Sequence, residues 1–293
     1  MPELPEVEST VRGLKKNILG RRILDVWTDN EKMIKRPRTF KDFKKELRGV
    51  VIENVRRRGK NILIDLSGKK TLLIHQKLTG HLLVGRWKLQ KGKWISKVSG
   101  PLFNDSRNDY IHFIIFLNKN RDLALSDLRK FAKAELWNRK DLESSEGFSK
   151  LGPEPLEKGF TFNKFKRAFK TRKRGKIKQV LMDQNVIVGI GNIYSDEILW
   201  RSKIHPFKDI SNLSNLELKR IYQSMKVILK KAVILKGTSI SDFRLIDGSR
   251  GRYQAERKAY QRQGKKCSRC GNEIQRKKIG ARSAHFCPTC QKL

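Results

Sequence analysis

Cys267-Ser-Arg-Cys270-Gly-Asn-Glu-Ile-Gln-Arg-Lys-Lys-Ile-Gly-Ala-Arg-Ser-Ala-His-Phe-Cys287-Pro-Thr-Cys290 is the most informative stretch of this chain. Its two C-x-x-C knuckles, sixteen residues apart, suit one tetrahedral zinc held on a β-hairpin ribbon. Four thiolates leave no open position for water, so the implied zinc is structural. Two disulfides are the competing account. Residues 1–266 contain no cysteine, however, which argues for a reduced compartment and one local device. Between the knuckles stand Arg276, Lys277, Lys278 and Arg282, and residues 251–293 hold 12 basic side chains against 2 acidic ones. A ribbon tip so charged suits a groove or a row of phosphates.

The same imbalance runs through all 293 residues. Against 29 Asp and Glu stand 67 Lys and Arg, a formal charge of +38, and self-repulsion on that scale points to a polyanionic partner. No apolar run approaches the roughly 18 residues that cross a bilayer, and the N-terminus opens on Glu3, Glu6 and Glu8 rather than a basic and apolar leader. Membrane spanning and secretion are therefore not expected. Residues 163–178 hold nine Lys or Arg and no acid, interleaved with Phe165 and Phe169. Beyond them lies Gly189-Ile-Gly191-Asn192-Ile193-Tyr194, a turn of the kind that presents backbone N–H groups to phosphate at a helix start. It lacks the third glycine and the preceding strand of a dinucleotide site.

Hydrophobic spacing divides the chain into a β half and an α half. Val7, Val11, Leu14 and Ile18 predict a first helix that Gly20 stops. Short aliphatic runs at 50–55, 61–66, 71–75, 110–117 and 122–126 predict strands of a sandwich or barrel-like pair of sheets. The stretch 86–109, with Trp87 and Trp94, reads as an exposed loop. Residues 138–159 read as a connection, and beyond them Phe162, Phe165 and Phe169, then Ile177, Val180 and Leu181, then Leu216 to Ala232 space as helix faces.

Pro2 has a chemical reading as well as a structural one. Removal of Met1 leaves a secondary amine, and an α-amino group with a pKa near 8 is a nucleophile at neutral pH, able to condense with an aldehydic carbon. Glu3 or Glu6 beside it can shuttle protons. The structural reading of these acids is compensation of a helix dipole in the first turn. Lys60, in Arg56-Arg-Arg-Gly-Lys60, sits on a turn where it can hold a phosphate.

Met1-Pro-Glu-Leu-Pro-Glu-Val-Glu8, Arg57-Arg-Gly-Lys60, Asp127-Leu-Arg-Lys-Phe131, Leu151-Gly-Pro-Glu-Pro-Leu156, Leu181-Met-Asp183, the 189–194 turn and the terminal knuckles together resemble the formamidopyrimidine-DNA glycosylase family. The resemblance implies an α+β fold: an N-terminal β-sandwich flanked by helices, a helix-two-turns-helix domain and a four-cysteine zinc ribbon. The corresponding division is 1–137 catalytic, 138–159 linker, 160–250 helix-two-turns-helix with a lesion-capping loop, and 251–293 ribbon. The implied activity is base-excision repair. An oxidised purine, 8-oxoguanine or a formamidopyrimidine, leaves duplex DNA, and β,δ-elimination then cleaves the abasic strand.

By the same resemblance Pro2 attacks C1′, Glu3 is its acid/base partner, Glu6 supports, and Lys60 holds a phosphate at the reacting nucleotide. Phosphate contacts fall to His75, Asn192, Tyr194 and Arg282, with Lys178 as an addition. Leu78, Arg129 and Phe131 would fill the space left by the extruded base. Asp247, Gly248, Gly251 and Tyr253 belong to the loop over that base, whose glycines suit a mobile lid. The implied cofactor is one structural zinc with no catalytic cofactor. The implied partner is duplex DNA containing oxidised bases or abasic sites, bound by a monomer in a bacterial-type cytoplasm, at the nucleoid.

Three residues depart from the family pattern. Leu78 stands where methionine is usual, a shorter and stiffer wedge from which less efficient interrogation of the stack is expected. Ala132 and Gln261 stand where glycine is usual. The competing readings are an endonuclease-eight-like enzyme acting on oxidised pyrimidines, and a non-catalytic damaged-DNA-binding protein.

Overall fold

The computed structural model describes residues 1–172, 174–239 and 243–293. The chain forms two compact units, Met1–Ser149 with Lys236–Arg252, and Lys150–Leu235 with Tyr253–Leu293.

In the first unit, helix α1 (Leu4–Ile18) buries the Val7, Val11, Leu14 and Ile18 stripe. There follow β1 (Ile23–Thr28), β2 (Ile34–Arg36), α2 (Phe40–Leu47), β3 (Ile52–Arg58), β4 (Asn61–Leu66), β5 (Lys70–His75), β6 (His81–Gly85), β7 (Trp87–Gln90), β8 (Lys93–Ser96), β9 (Ile111–Leu117), β10 (Arg121–Ser126), β11 (Lys133–Asn138), α3 (Arg139–Ser144) and α4 (Glu146–Ser149). One sheet runs β1-β9-β10-β6 and is antiparallel. The other runs β2-β11-β5-β4-β3, with only β2 parallel to its neighbour.

Alternate residues of both sheets meet in one core. Phe113, Ile115, Leu123, Leu125, Leu82 and Val84 of the first sheet cluster with Val55, Ile62, Ile64, Leu72, Ile74 and Leu136 of the second. Both sheets have open edges, and the helices close them. Helix α1 packs on edge strands β3 and β6, and α2 on edge strands β1 and β2.

The outer faces are apolar too, and each needs a cover. Leu83, Ile114 and Ala124 point away from the shared core and gather Trp87, Leu102, Trp27, Trp94 and Phe116. The 86–109 stretch, expected to be an exposed loop, is therefore the β7–β8 hairpin and a following turn folded over that sheet. Trp87 is buried, and its Nε1–H donates to Asn108 at 2.9 Å. Leu63 and Leu73 on the outer face of the other sheet are covered by Leu142 of α3 and Phe148 of α4. The expected linker thus begins with two short helices that belong to the sandwich.

In the second unit are α5 (Phe162–Lys170), α6 (Ile177–Met182), α7 (Asn192–Ser202), α8 (Asn215–Ile234), β12 (Gln275–Ile279) and β13 (Arg282–Phe286). Helix α8 opens on a Ser214/Glu217 capping box and α5 on Thr161. Phe160, Phe162, Phe165 and Phe169 stack among themselves and on Tyr222 of α8. Gly152 of the Leu-Gly-Pro-Glu-Pro motif lies so close to the backbone that an added Cβ would sit 2.6 Å from the Val186 carbonyl.

Candidate active site and nucleic-acid interface

Helix α1 begins where Glu6 closes it. The Glu3 N–H donates to Glu6 Oε2 at 2.9 Å, and the Thr238 N–H donates to Glu6 Oε1 at 2.7 Å. One buried carboxylate therefore fixes the residue after Pro2 and the start of the segment that returns to this unit. Gly237 beside it has φ 75° and no room for a Cβ, which would lie 2.6 Å from Glu6 Oε1. Pro2, Glu3 and Glu6 are buried, whereas the Met1 side chain is 44% exposed.

Glu8 ties this helix to the turn that carries Lys60. It accepts from Arg57 Nε at 3.0 Å, and Arg57 also donates to the Gly59 carbonyl. Lys60 is 8% exposed, and His75 lies within reach of its charge. Burial, together with Lys77, Lys133 and Lys60, pulls the His75 imidazole down to about 3. The Lys77 N–H donates to His75 Nδ1 at 2.9 Å, so the neutral ring keeps its proton on Nε2 and offers it as a donor.

Leu78, Arg129 and Phe131 line one cavity of about 680 Å³ together with Met1. Phe131 is half exposed, and the Arg129 guanidinium lies over its ring at 4.6 Å. Asp127, fully buried, builds this arrangement. It accepts the Ala132 N–H at 2.7 Å, the Arg129 N–H and the Thr79 hydroxyl, joining the turn that bears Arg129 and Phe131 to the one that bears Leu78. Neither Asp127 nor Thr79 was assigned a role from sequence, although an acid opening a turn is the pattern of an Asx-turn.

In the second unit the 189–191 turn is shaped by Gln184. Its Oε1 accepts the Gly189 N–H, and its Nε2 donates to the Met182 and Ile190 carbonyls. Asn192, at the head of α7, shares a cavity of about 540 Å³ with Arg276, Lys278 and Arg282 of the ribbon. The Asn192 Oδ1 is buried there without a hydrogen bond. A helix start, an amide side chain and three cations facing one space suit a phosphate.

Other expected contacts lie elsewhere. Lys178 is fully buried, and its ammonium reaches Asp196 at 2.5 Å and the Ser283 carbonyl at 2.8 Å. Asp196 also accepts the His285 N–H and meets His285 Nδ1, so Lys178 is built into the seam between α6, α7 and β13. Tyr194 and Tyr253 are buried with their rings 5.3 Å apart. The loop residues Asp247, Gly248 and Gly251 form a packed turn. Ser249 donates to Asp247, an added Cβ on Gly248 would lie 2.8 Å from Leu102, and one on Gly251 would collide with the Gly237 carbonyl. These glycines serve close packing. Residues 240–242 of the same loop, and Lys173 of the basic stretch, lie outside the described residues. Gln261 takes the left-handed φ of 54° that explains the usual glycine, and its Oε1 accepts from Arg257 at 3.1 Å.

The four cysteine sulfurs lie within 4.8 Å of one another. Tetrahedral zinc with bonds of about 2.3 Å separates sulfurs by about 3.8 Å, so the donor set fits the metal. The Trp200 Nε1–H of α7 donates to Cys267 Sγ at 3.4 Å, and Gln291 links the Cys287 N–H to the Ile204 carbonyl. Glu197, buried next to Asp196, accepts the N–H groups of Lys258, Ala259 and Tyr260 at 2.9 Å each. Helix α7 therefore holds both the ribbon and the segment leading into it.

A capped N-terminal helix on a β-sandwich, a helical unit with a cationic cavity at a helix start and a four-thiol ribbon define a zinc-ribbon DNA-binding protein. Family models match three stretches: the formamidopyrimidine-DNA glycosylase N-terminal domain at 1–134, the H2TH domain of the same enzyme at 151–244, and the zinc finger found in FPG and IleRS at 264–293. The chain belongs to the formamidopyrimidine-DNA glycosylase family. It is 36% identical to the enzyme of that name from Pelotomaculum thermopropionicum over the whole of both chains. Its fold is similar to a Lactococcus lactis FPG mutant in complex with Fapy-dG containing DNA, with a TM-score of 0.86, 33% identity and full coverage of both chains. The Lactococcus lactis Fpg in complex with abasic-site DNA gives 0.85 and 34%, over 99% of this chain and all of that one.

Proposed function

We propose that this chain is a bifunctional DNA glycosylase and abasic-site lyase that excises oxidised purines, 8-oxoguanine and formamidopyrimidines, from duplex DNA. The observation that carries the reading is the head of α1. There Pro2 stands between exposed Met1 and two buried carboxylates, and Met1 lines the same cavity as Leu78, Arg129 and Phe131. Removal of Met1 frees the Pro2 amine. Its lone pair attacks C1′ of the extruded nucleotide, the base leaves with the bonding electrons of the glycosidic bond, and Glu3 gives O4′ a proton as the sugar opens to an iminium. Loss of a C2′ proton expels the 3′ phosphate, a second elimination expels the 5′ phosphate, and water then returns the amine.

Glu6 holds the Glu3 backbone, and Lys60 with neutral His75 supplies donors to the phosphates of the reacting nucleotide. Leu78, Arg129 and Phe131 occupy the emptied stack, and Asn192 and Arg282 bind phosphate from the second unit. The zinc keeps Arg282 and its neighbours in place and takes no part in bond making. The same reading has the protein work as a monomer in a reducing cytoplasm, on nucleoid DNA.

Borohydride reduction in the presence of duplex DNA containing 8-oxoguanine opposite cytosine tests this directly. A covalent adduct located on Pro2 by mass spectrometry is expected. Trapping on an oxidised pyrimidine but not on 8-oxoguanine would transfer the chain to the sister activity. Failure to trap even an abasic site would leave a binding protein.

A further inference from the structure

Apart from the groups assigned above, one cavity in the first unit is built from charge. It measures about 470 Å³, and its lining includes Lys35, Arg36, Arg38, Lys70 and Trp137. Lys70 is matched by Glu46 at 2.8 Å. Lys35, Arg36 and Arg38 are exposed, and among the described residues no ion pair involves them. Three unmatched cations within four positions repel one another, and an anion seated among them relieves that repulsion.

The chemistry of the lining selects the anion. The Arg36 guanidinium lies over the Trp137 ring at 4.2 Å, and the Trp137 Nε1–H donates to Glu135 at 3.0 Å. One face of the indole and its only donor are thus engaged, which leaves guanidinium and ammonium groups rather than an open aromatic shelf for a base. Two guanidinium forks and an ammonium match phosphate oxygens. Lys35 also lines the cavity that holds Leu78, Arg129 and Phe131. Edge strand β2 thereby joins the two cavities.

We propose that this cavity is a phosphate-binding station for the flanking duplex, holding the sugar-phosphate backbone of the DNA whose lesion is read at Leu78, Arg129 and Phe131. The inference rests on the base-excision reading, because a duplex seated at those three residues is what brings a flanking arm to β2. The station adds affinity and register without base selectivity.

The test compares salt dependence on two duplexes that carry a stable abasic-site analogue, one with long arms and one cut short on the side that reaches β2, that side being found by truncating each arm in turn. Each neutralised phosphate contributes about −0.9 to the slope of log K against log salt, so Arg36→Gln/Arg38→Gln should flatten the long-duplex slope by about 1.8. On the shortened duplex, variant and wild type should coincide. Arg36→Lys/Arg38→Lys should restore the slope, because counterion release counts charges; a purely structural role for the Arg36–Trp137 contact would not be rescued this way. If the double variant unfolds, Arg38→Gln alone carries the test, with a flattening of about 0.9. Equal slopes for wild type and Gln variant on the long duplex overturn the proposal, as does a difference that persists whichever of the two arms is truncated. A wild-type protein that binds these duplexes steeply but forms no borohydride adduct on 8-oxoguanine DNA or on a natural abasic site overturns the base-excision reading instead, so the two failures are distinguishable.

Discussion

His75 and Asp127 show how single residues are set by what surrounds them. The unfolded chain protonates an imidazole near pH 6.5, and the folded chain resists until about 3, so this contribution to stability is intact above pH 6.5 and drains away as the pH falls towards 3. The ring should therefore give no titrating signal between pH 5 and 8 by NMR, and His75→Asn should flatten part of the acid limb of a denaturation midpoint series. A His75 resonance that titrates near pH 6.5 would sink the assignment. Asp127→Ala strands the Ala132 and Arg129 N–H groups and the Thr79 hydroxyl. Misplacing the two turns should slow excision opposite cytosine by at least about tenfold, with a smaller loss on a preformed abasic site, where no paired base must be extruded. Equal losses on both substrates in single-turnover assays would contradict that role.

At the scale of elements, the 86–109 stretch is a brace. Its Asp105 meets Arg244 at 3.4 Å with both side chains nearly buried, and its Leu102 packs against Gly248. The Val84 N–H on edge strand β6 donates to the Ile246 carbonyl of the same returning segment at 2.7 Å, and Ile246 presses on Gly13 of α1. Breaking one partner of a nearly buried pair removes the attraction while the remaining charge keeps its desolvation cost. Arg244→Gln and Asp105→Asn should each cost about 3 kcal/mol or more, and the double variant markedly less than their sum. Additive losses in urea denaturation would mean that the two do not act as a pair. Helix α7 plays the corresponding part in the second unit, with Asp196, Glu197 and Trp200, all within five residues, reaching His285, residues 258–260 and Cys267 respectively.

Over the whole molecule, excess positive charge works against compactness, and in the ribbon a metal replaces part of what packing does elsewhere. The ribbon contributes few large apolar side chains, chiefly Ile274, Ile279 and Phe286, so its fold depends on the zinc. Stripping the metal with a chelator, or Cys267→Ser, should remove most DNA affinity while the sandwich still unfolds cooperatively. Full DNA affinity in metal-free protein, measured by anisotropy alongside metal content, would refute this dependence.

Local devices are legible in the chain alone: a helix from the Val7 to Ile18 spacing, a ribbon from its knuckles, strands from short aliphatic runs, and a family from motifs spread from end to end. They are legible because periodicity and ligand spacing are local properties. Hidden from such a reading are β1, β2 and β11, whose residues mix polar and apolar side chains, β6, whose apolar run is only Leu82-Leu83-Val84, and the hairpin in 86–109, whose tryptophans have a reason only once an apolar outer face exists. Lys178 and Tyr194 show the same limit at the candidate site. Both types are common at DNA, and what buries them here, Asp196 for one and Tyr253 for the other, lies 18 and 59 residues away. Charge and spacing are written along the chain, but burial is a property of everything that packs around a side chain, and it is settled only when the chain has folded.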